Sequence, residues 1–141
     1  MKSSARNQFI GQISAIMPLG DAYQIELKSG ENKIYAHISQ FMAAQFKLKI
    51  GDTAIVMVKA SSIMLLTDIA PFRLAIENCL QAKVHNIETG AVNNIVTLSL
   101  PDGFTITAAI TLHSSESLDV HCGQMVYAVF HAHQAVIAVL N

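Results

Sequence analysis

The feature that most constrains the fold is an internal repeat, because the two halves of the chain carry one pattern. The segment GDTAIVMVKA, which begins at Gly51, aligns with GQMVYAVFHA, which begins at Gly123, at an offset of 72 residues. At the front of each half, residues 7–16 align with residues 78–87 at an offset of 71 residues. One additional residue near PDG (101–103) in the second half accounts for the difference. The repeat predicts two similar small domains in tandem.

Each copy has the pattern of five short strands, with a helical segment between the third and the fourth. Alternating apolar residues predict strands at 9–16, 22–28, 33–38, 54–59 and 63–67, and again at 80–87, 94–100, 105–110, 125–130 and 135–140. The segment QFMAAQFKL (40–48) places Phe41, Ala44 and Leu48 at helical spacing, and HSSESL (113–118) is its shorter counterpart. This order predicts an all-β fold with short helices, built as two tandem OB-type five-stranded barrels. Their predicted bounds are 1–68 and 75–141, with a short linker at 69–74.

The composition indicates the cellular compartment in which the protein is expected. No apolar run approaches the ~20 residues of a membrane-spanning helix, and the opening MKSSARNQ lacks the apolar core of a signal peptide. Cys79 and Cys122 lie far apart, so each is expected to be a buried small hydrophobe in a reduced, cytoplasmic protein. With 52% hydrophobic and only 13% charged residues, the chain is expected to form subunit contacts.

Patterns typical of enzymes are missing from the sequence. It contains no glycine-rich phosphate loop, CxxC, HExxH or GxSxG, so no catalytic residues are expected. His131 and His133 are expected on one face of a strand, but two ligands without a third favour exposed polar residues over a metal site. Asp119, His121 and Cys122 lie close together in sequence without a residue that would orient them, which indicates a coincidence of composition.

Nucleic-acid binding is another function that OB-type barrels perform. The chain has a net charge of −1, nine Lys and Arg residues and no Trp. A basic face and stacking aromatics are the usual signs of such binding, and both are sparse here. An OB-type nucleic-acid module is therefore the less favoured alternative.

Three segments of the first copy carry small hydroxyls, and two of them also carry a cation. They are SSARN (3–7), Ser39 and KASS (59–62), and each lies at the start or end of a predicted strand. Together they offer two fixed cations and several hydroxyl donors without a carboxylate, which suits a tetrahedral dianion. From the residues alone, the favoured reading is that Arg6 and Lys59 are ordinary solvated charges and that the serines are polar residues at strand ends.

The segments SARNQFIGQISAI, IELKSG, AHIS and GDTAIVMVKASSIML resemble the Mop unit. That unit makes up molbindins and recurs in molybdate-responsive transcription regulators and in molybdate transporter ATPases. The resemblance covers the whole chain as two tandem units. It implies molybdate or tungstate as the bound ligand, no organic cofactor, and metal present only within the oxyanion. It also implies sites at the interfaces of a homo-oligomer, a trimer or dimer, that serves molybdenum storage, buffering or sensing. The alternative is an effector-sensing module of a regulator or transporter.

The resemblance also implies which residues hold the oxyanion, and the second copy departs from that set. The implied oxyanion-binding residues are Ser4, Arg6, Asn7, Ser39, Lys59, Ala60 and Ser61, and a second candidate site uses Ala91, Val92 and Asn93 of the loop GAVN. In the second copy Glu77 stands where Arg6 is expected, and His131 stands where Lys59 is expected. A negative charge at that point would repel an anion, so an equivalent second-copy site is not expected.

Overall fold

The computed structural model describes all of residues 1–141 and confirms the mostly β architecture. Each repeat contains five strands, with one short α-helix after the third strand. The elements are β1 (Asn7–Leu19), β2 (Ala22–Ser29), β3 (Asn32–Ser39), α1 (Gln40–Gln45), β4 (Thr53–Val58), β5 (Met64–Leu66), β6 (Asn78–Thr89), β7 (Asn93–Ser99), β8 (Thr105–Thr111), α2 (Leu112–Ser117), β9 (Met125–Phe130) and β10 (Val136–Leu140). A 3₁₀ turn at Ala60–Ser62 precedes β5, and another at Ala132–Gln134 precedes β10.

The strands form two five-stranded sheets in which the last strands of the two repeats are exchanged. One sheet has the order β10-β4-β1-β2-β3 and the other β5-β9-β6-β7-β8. Accordingly, β10 pairs antiparallel with β4, and β5 pairs antiparallel with β9.

The chain forms two compact units whose bounds follow this exchange. Unit I comprises Met1–Asn7 and Lys59–Phe130, and unit II comprises Gln8–Val58 and His131–Asn141. The predicted bounds 1–68, 69–74 and 75–141 follow the repeat in the sequence. They differ from the compact units because the last strand of each repeat pairs with the fourth strand of the other.

The core of each unit comes from the inward-facing residues of its strands. In unit II, Ile25 and Leu27 of β2 are fully buried, and in unit I the same holds for Val96 and Leu98 of β7. Because successive side chains point to opposite faces of a sheet, the apolar alternation fills one face and leaves polar residues on the other. Each such side chain stabilises the fold by about 1.5–3 kcal/mol relative to exposure.

Both helices begin at a hydroxyl side chain that ends the preceding strand. The Ser39 hydroxyl accepts a hydrogen bond from the Met42 N–H at 3.1 Å, and Thr111 accepts from the Ser114 N–H at 3.1 Å. The predicted helical segment 40–48 contains α1, which ends at Gln45. Ala43 is its buried residue, and Phe41 is 69% exposed.

Both cysteines are exposed free thiols, which corrects the prediction that they are buried hydrophobes. Cys79 lies on β6 between the buried residues Asn78 and Leu80, so the alternation of the strand points it outward. Burial of part of its surface raises the pKa of the Cys79 thiol. No helix of the chain is long and apolar enough to cross a membrane.

The turn that leads into β4 is held by a carboxylate and an asparagine of unit II. The buried Asp52 carboxylate accepts from the Lys49 N–H at 3.0 Å and from the Asn141 amide at 3.0 Å. The same amide donates to the Phe46 carbonyl at 2.7 Å. Burial alone would raise the pKa of Asp52, but the hydrogen bonds and the Lys49 ammonium lower it overall.

The second repeat builds the matching turn of unit I with one residue. Gln124 aligns with Asp52, and its side-chain oxygen accepts from the His121 N–H at 3.2 Å. Its side-chain nitrogen donates to the Leu118 carbonyl at 3.1 Å. One glutamine amide therefore makes the bonds for which unit II uses Asp52 and Asn141 together.

Candidate oxyanion site

Unit I contains both cation-bearing segments of the predicted site, and Asn7 anchors the first of them. Asn7 is 2% exposed, and its amide nitrogen donates to the Thr107 carbonyl at 2.8 Å. Its amide oxygen accepts from the Thr107 N–H at 2.7 Å. These two bonds mimic a strand pairing along β8, so they tie the segment Ser3–Arg6 to an edge of the sheet.

The second segment is the turn Ala60–Ser62, which packs against the same strand β8. Ala60 is buried, whereas Lys59 and Ser61 are exposed. The turn is closed by bonds from the Ser62 N–H to the Lys59 carbonyl at 3.0 Å and from Ile63 N–H to Ala60 carbonyl at 3.3 Å. Burial of Ala60 therefore fixes the turn, while the polar residues on either side reach solvent.

The charges in these two segments are uncompensated within the chain. Ser4, Arg6, Lys59 and Ser61 are exposed, and neither cation forms an ion pair. The segments contain no Asp or Glu. Of the residues predicted from the resemblance, unit I holds Ser4, Arg6, Asn7, Lys59, Ala60 and Ser61. Ser39 belongs to unit II, where its hydroxyl caps α1.

The second 3₁₀ turn shows how far the other repeat has diverged. His131 and His133 were predicted on one face of a strand, but His133 lies within the turn and His131 precedes it. Their rings stack with centroids 4.9 Å apart and planes inclined by 22°. The His131 side chain accepts from the Gln134 N–H, while the Gln134 side chain accepts from the His131 N–H at 2.9 Å. His131 thus stands at the position of Lys59, and its side chain and N–H close the turn through hydrogen bonds with Gln134.

The histidines form neither a cluster of metal-ligating side chains nor an ion pair with a carboxylate. No group of three or more His, Cys, Asp or Glu side chains could hold a metal ion. His121 contacts Asp119 through the main-chain carbonyl, with its Nδ1 atom 2.6 Å from that oxygen. The Asp119 carboxylate is therefore not the partner of this imidazole.

The loop GAVN, which carries the second candidate site, connects β6 to β7. Val92 is 74% exposed, and its carbonyl accepts from the Leu112 N–H at 3.4 Å at the start of α2. Behind the loop, the buried Asn94 amide donates to the Ser115 hydroxyl at 3.0 Å. The loop is thereby held beside α2, and a role for Ala91, Val92 and Asn93 in binding stays a prediction.

Sequence reasoning missed the role of β8 as the support of both segments. The signal was present, because Asn7 and Asn78 occupy the same place in the two repeats and are both buried, at 2% and 1% exposure. A polar residue that recurs at the start of a buried strand needs hydrogen-bond partners. The main chain of an edge strand is such a partner.

Comparison with known proteins gives consistent matches over the whole chain. The family model of the TOBE domain matches residues 3–65 and again 74–136. The molybdenum transport protein ModE of Herbaspirillum seropedicae is 39% identical over 140 residues, which are 99% of this chain and 52% of that protein. The molybdenum-pterin-binding protein MopB of Rhodobacter capsulatus is 30% identical over 98% of this chain and 52% of its own length. The chain thus spans about half the length of these curated relatives.

A solved structure extends the match to the fold. The cytoplasmic molybdate-binding protein ModG, in a crystal form with molybdate bound, superposes with a TM-score of 0.94 at 34% identity. The match covers 99% of this chain and 100% of that chain. The predicted tandem OB-type architecture agrees with this neighbour.

Proposed function

The chain belongs to the TOBE-domain family and carries two such domains in tandem, and from this we propose that it binds molybdate, and tungstate as well, without catalysis. The observation that carries the proposal is the pair of cation-bearing segments on β8 of unit I, which contain no acidic residue. The relatives named for molybdenum transport and molybdate binding support the choice of anion.

The proposed chemistry divides the work between charge and hydrogen bonding. Arg6 and Lys59 supply two positive charges, and Ser4, Ser61 and the Ala60 N–H donate to the oxygens of the anion. A fixed set of donors replaces the hydration shell of the dianion, and the two segments contain no carboxylate that would accept from a protonated anion. Asn7 serves as the anchor, since both ends of its amide are engaged with Thr107. Ser39, a residue of unit II, enters the proposal from the resemblance alone.

We assign no equivalent site to the second repeat. Glu77 takes the place of Arg6, and stacked histidines take the place of Lys59 and Ser61. A carboxylate beside a dianion costs binding energy, because like charges at short distance repel. The loop residues Ala91, Val92 and Asn93 remain the proposed second place for an anion.

The proposed setting is a cytoplasmic homo-oligomer, a trimer or dimer, that stores, buffers or senses molybdate. Exposed apolar side chains such as Phe41, Phe72 and Met64, each more than half exposed, support further subunit contacts. ModG, which matches end to end, is described as cytoplasmic. A module of a regulator or transporter is the alternative, because the ModE relatives are about twice as long as the matched region.

The experiment is isothermal titration calorimetry of the chain with molybdate, tungstate and sulfate, with its mass in solution measured in parallel. Molybdate heat without sulfate heat is expected. Arg6→Ala and Lys59→Ala are each expected to cost about 2 kcal/mol of binding free energy, or roughly 30-fold in Kd. Arg73→Ala, an exposed arginine outside both segments, is the matched control and should bind as the unmodified chain does. Unchanged affinity in Arg6→Ala would overturn the site assignment.

A further inference from the structure

Unit II contains a cleft of about 280 Å³ between α1 and the first two strands, distinct from the segments discussed above. Its apolar walls come from Ile16 of β1, Ala43 of α1 and Leu48 beyond the helix. A space of this size holds a compact organic molecule, since pockets for larger drug-sized ligands start near ~300 Å³. The cleft is thus a small, half-open site whose lining is part apolar and part polar.

The polar groups at this cleft are the Lys47 ammonium, the Tyr23 hydroxyl and the Gln40 amide, of which the ammonium and the hydroxyl are free to donate. Lys47 and Tyr23 line it, and neither the Lys47 ammonium nor the Tyr23 hydroxyl bonds to another group of the chain. Gln40 uses its amide nitrogen to bond the Gly20 carbonyl at 2.8 Å, which leaves its amide oxygen at the rim. No acidic residue lines the cleft. Unpaired donors around an apolar space suit a ligand with an anionic end and an apolar body.

The second repeat has different side chains at the same place. Asn94 aligns with Tyr23 and Ser115 with Ala43, and Asn94 and Ser115 bond each other at 3.0 Å. Asp119 aligns with Lys47, so the charge at this point is reversed. The first repeat therefore lacks this hydrogen bond and carries a cation where its copy carries a carboxylate.

The left-handed conformation of Lys47 belongs to the fold of both repeats, since its φ is 52° and that of the aligned Asp119 is 49°. Glycine is the unstrained choice in this region, so either side chain costs stability that glycine would not. The two repeats therefore share the turn and differ in the charge that it carries, a cation at the cleft of unit II and a carboxylate in unit I.

We propose that this cleft binds a small organic carboxylate with a compact apolar body. The carboxylate would accept from Lys47 and Tyr23, and the body would pack on Ile16, Ala43 and Leu48. A bare inorganic oxyanion fits less well, because it would lose hydration against the apolar walls without compensation. The proposal is independent of molybdate binding, since it uses none of the residues of the oxyanion site.

The test uses the full chain, labelled with ¹⁵N, and sodium benzoate as the probe at constant pH and ionic strength. Saturable shifts with millimolar affinity are expected at the amides of Ala44, Lys47 and Leu48. Lys47→Gly removes the charge and relieves the backbone strain, so it folds at least as well and should weaken benzoate binding about fivefold or more. Tyr23→Phe should weaken it by a smaller factor.

The controls separate this site from a general attraction of anions. Lys28→Ala removes an exposed lysine of the same unit that does not line the cleft, and it should bind benzoate unchanged. Benzyl alcohol, which lacks the carboxylate, should give no saturable shift. Equal shifts from benzyl alcohol, or benzoate affinity that survives Lys47→Gly, would overturn the proposal. Neither outcome would bear on molybdate binding.

Discussion

Replacing Asn7 with alanine removes the two bonds by which the segment Ser3–Arg6 is held on β8. At 2.8 and 2.7 Å both bonds are well formed, and Asn7 is 2% exposed. Each is worth about 1 kcal/mol, and the Thr107 N–H and carbonyl are left without their partner, so Asn7→Ala should lower the free energy of unfolding by about 2–3 kcal/mol.

The same change should weaken molybdate binding in protein that is still folded. Without the anchor, Ser4 and Arg6 must be ordered when the anion binds, at a cost of about 1 kcal/mol or more per residue. This predicts a Kd higher by roughly tenfold or more, measured by calorimetry, alongside unfolding in urea followed by circular dichroism.

Two variants sharpen the test of the Asn7 anchor. Asn86→Ala removes an exposed asparagine of unit I and should change the free energy of unfolding by less than about 0.5 kcal/mol. Asn7→Asp keeps the acceptor for the Thr107 N–H but sets a buried carboxylate oxygen against the Thr107 carbonyl, so it should destabilise the chain at least as much as Asn7→Ala. An Asn7→Ala chain that is as stable as the unmodified chain, or that loses stability yet binds molybdate equally well, would refute the anchoring role.

Two further predictions concern unit II. Asn141→Ala should destabilise the chain by about 1 kcal/mol in urea unfolding, since its bond to a main-chain carbonyl is lost. In an Asp52→Gln background, Asn141→Ala should destabilise the chain less, because Gln124 makes both of the corresponding bonds in the other repeat. An equal loss of stability in that background would show that one glutamine does not replace Asp52 and Asn141 together. The Tyr35 hydroxyl, and then Ser14, hold the pKa of Glu26 below its usual value. The stabilisation from these two hydrogen bonds is therefore present above the pKa that Glu26 has in the unfolded chain. It is lost as the pH falls through the lower pKa that Glu26 has in the folded chain. Tyr35→Phe should flatten this acid-side loss of stability in urea unfolding measured from pH 7 to pH 3, and an unchanged pH profile would exclude the pair as its source.

The strands were predictable because burial imposes a period of two. All ten predicted strands exist, and β9 has the predicted bounds 125–130. The partner of a strand was not predictable in the same way. The alternation of apolar and polar residues predicts a buried face for β5 and β10, but it does not predict which neighbouring strand supplies their hydrogen bonds. The exchange of these strands is set by long-range pairing.

The wrong predictions have local causes. The predicted helical segment 40–48 is longer than α1, because a helix of six residues makes fewer than two turns, too few for helical spacing to fix its end. Cys79 was taken as a core residue by its type, although the alternation with Leu80 places it outside. The candidate oxyanion site was predictable as residue types. The recurrence of Asn7 and Asn78 indicates an amide that needs hydrogen-bond partners, but it does not identify the main chain of Thr107 as the partner.

The repeat separates residues that build the fold from residues that serve a ligand. Asn7 and Asn78 are both buried, and Ser39 and Thr111 both cap a helix, so these positions are shared because the fold needs them. Arg6, replaced by Glu77 in the second repeat, is a position where the repeats differ, which is expected where function rather than folding sets the residue.

Ser39 belongs to the shared class, yet the resemblance gives it a role in binding. A hydroxyl can do both, since it accepts from the Met42 N–H through a lone pair and still has its own hydrogen to donate. Ser39→Asp distinguishes the two roles, because aspartate caps a helix as well as serine does but carries a charge that repels an anion. We expect near-normal urea stability with molybdate affinity reduced tenfold or more, about 1.4 kcal/mol. Ser39→Ala should lower both, with about 1 kcal/mol of stability lost with the cap. Unchanged affinity in Ser39→Asp would leave Ser39 as a helix cap alone and remove it from the oxyanion site.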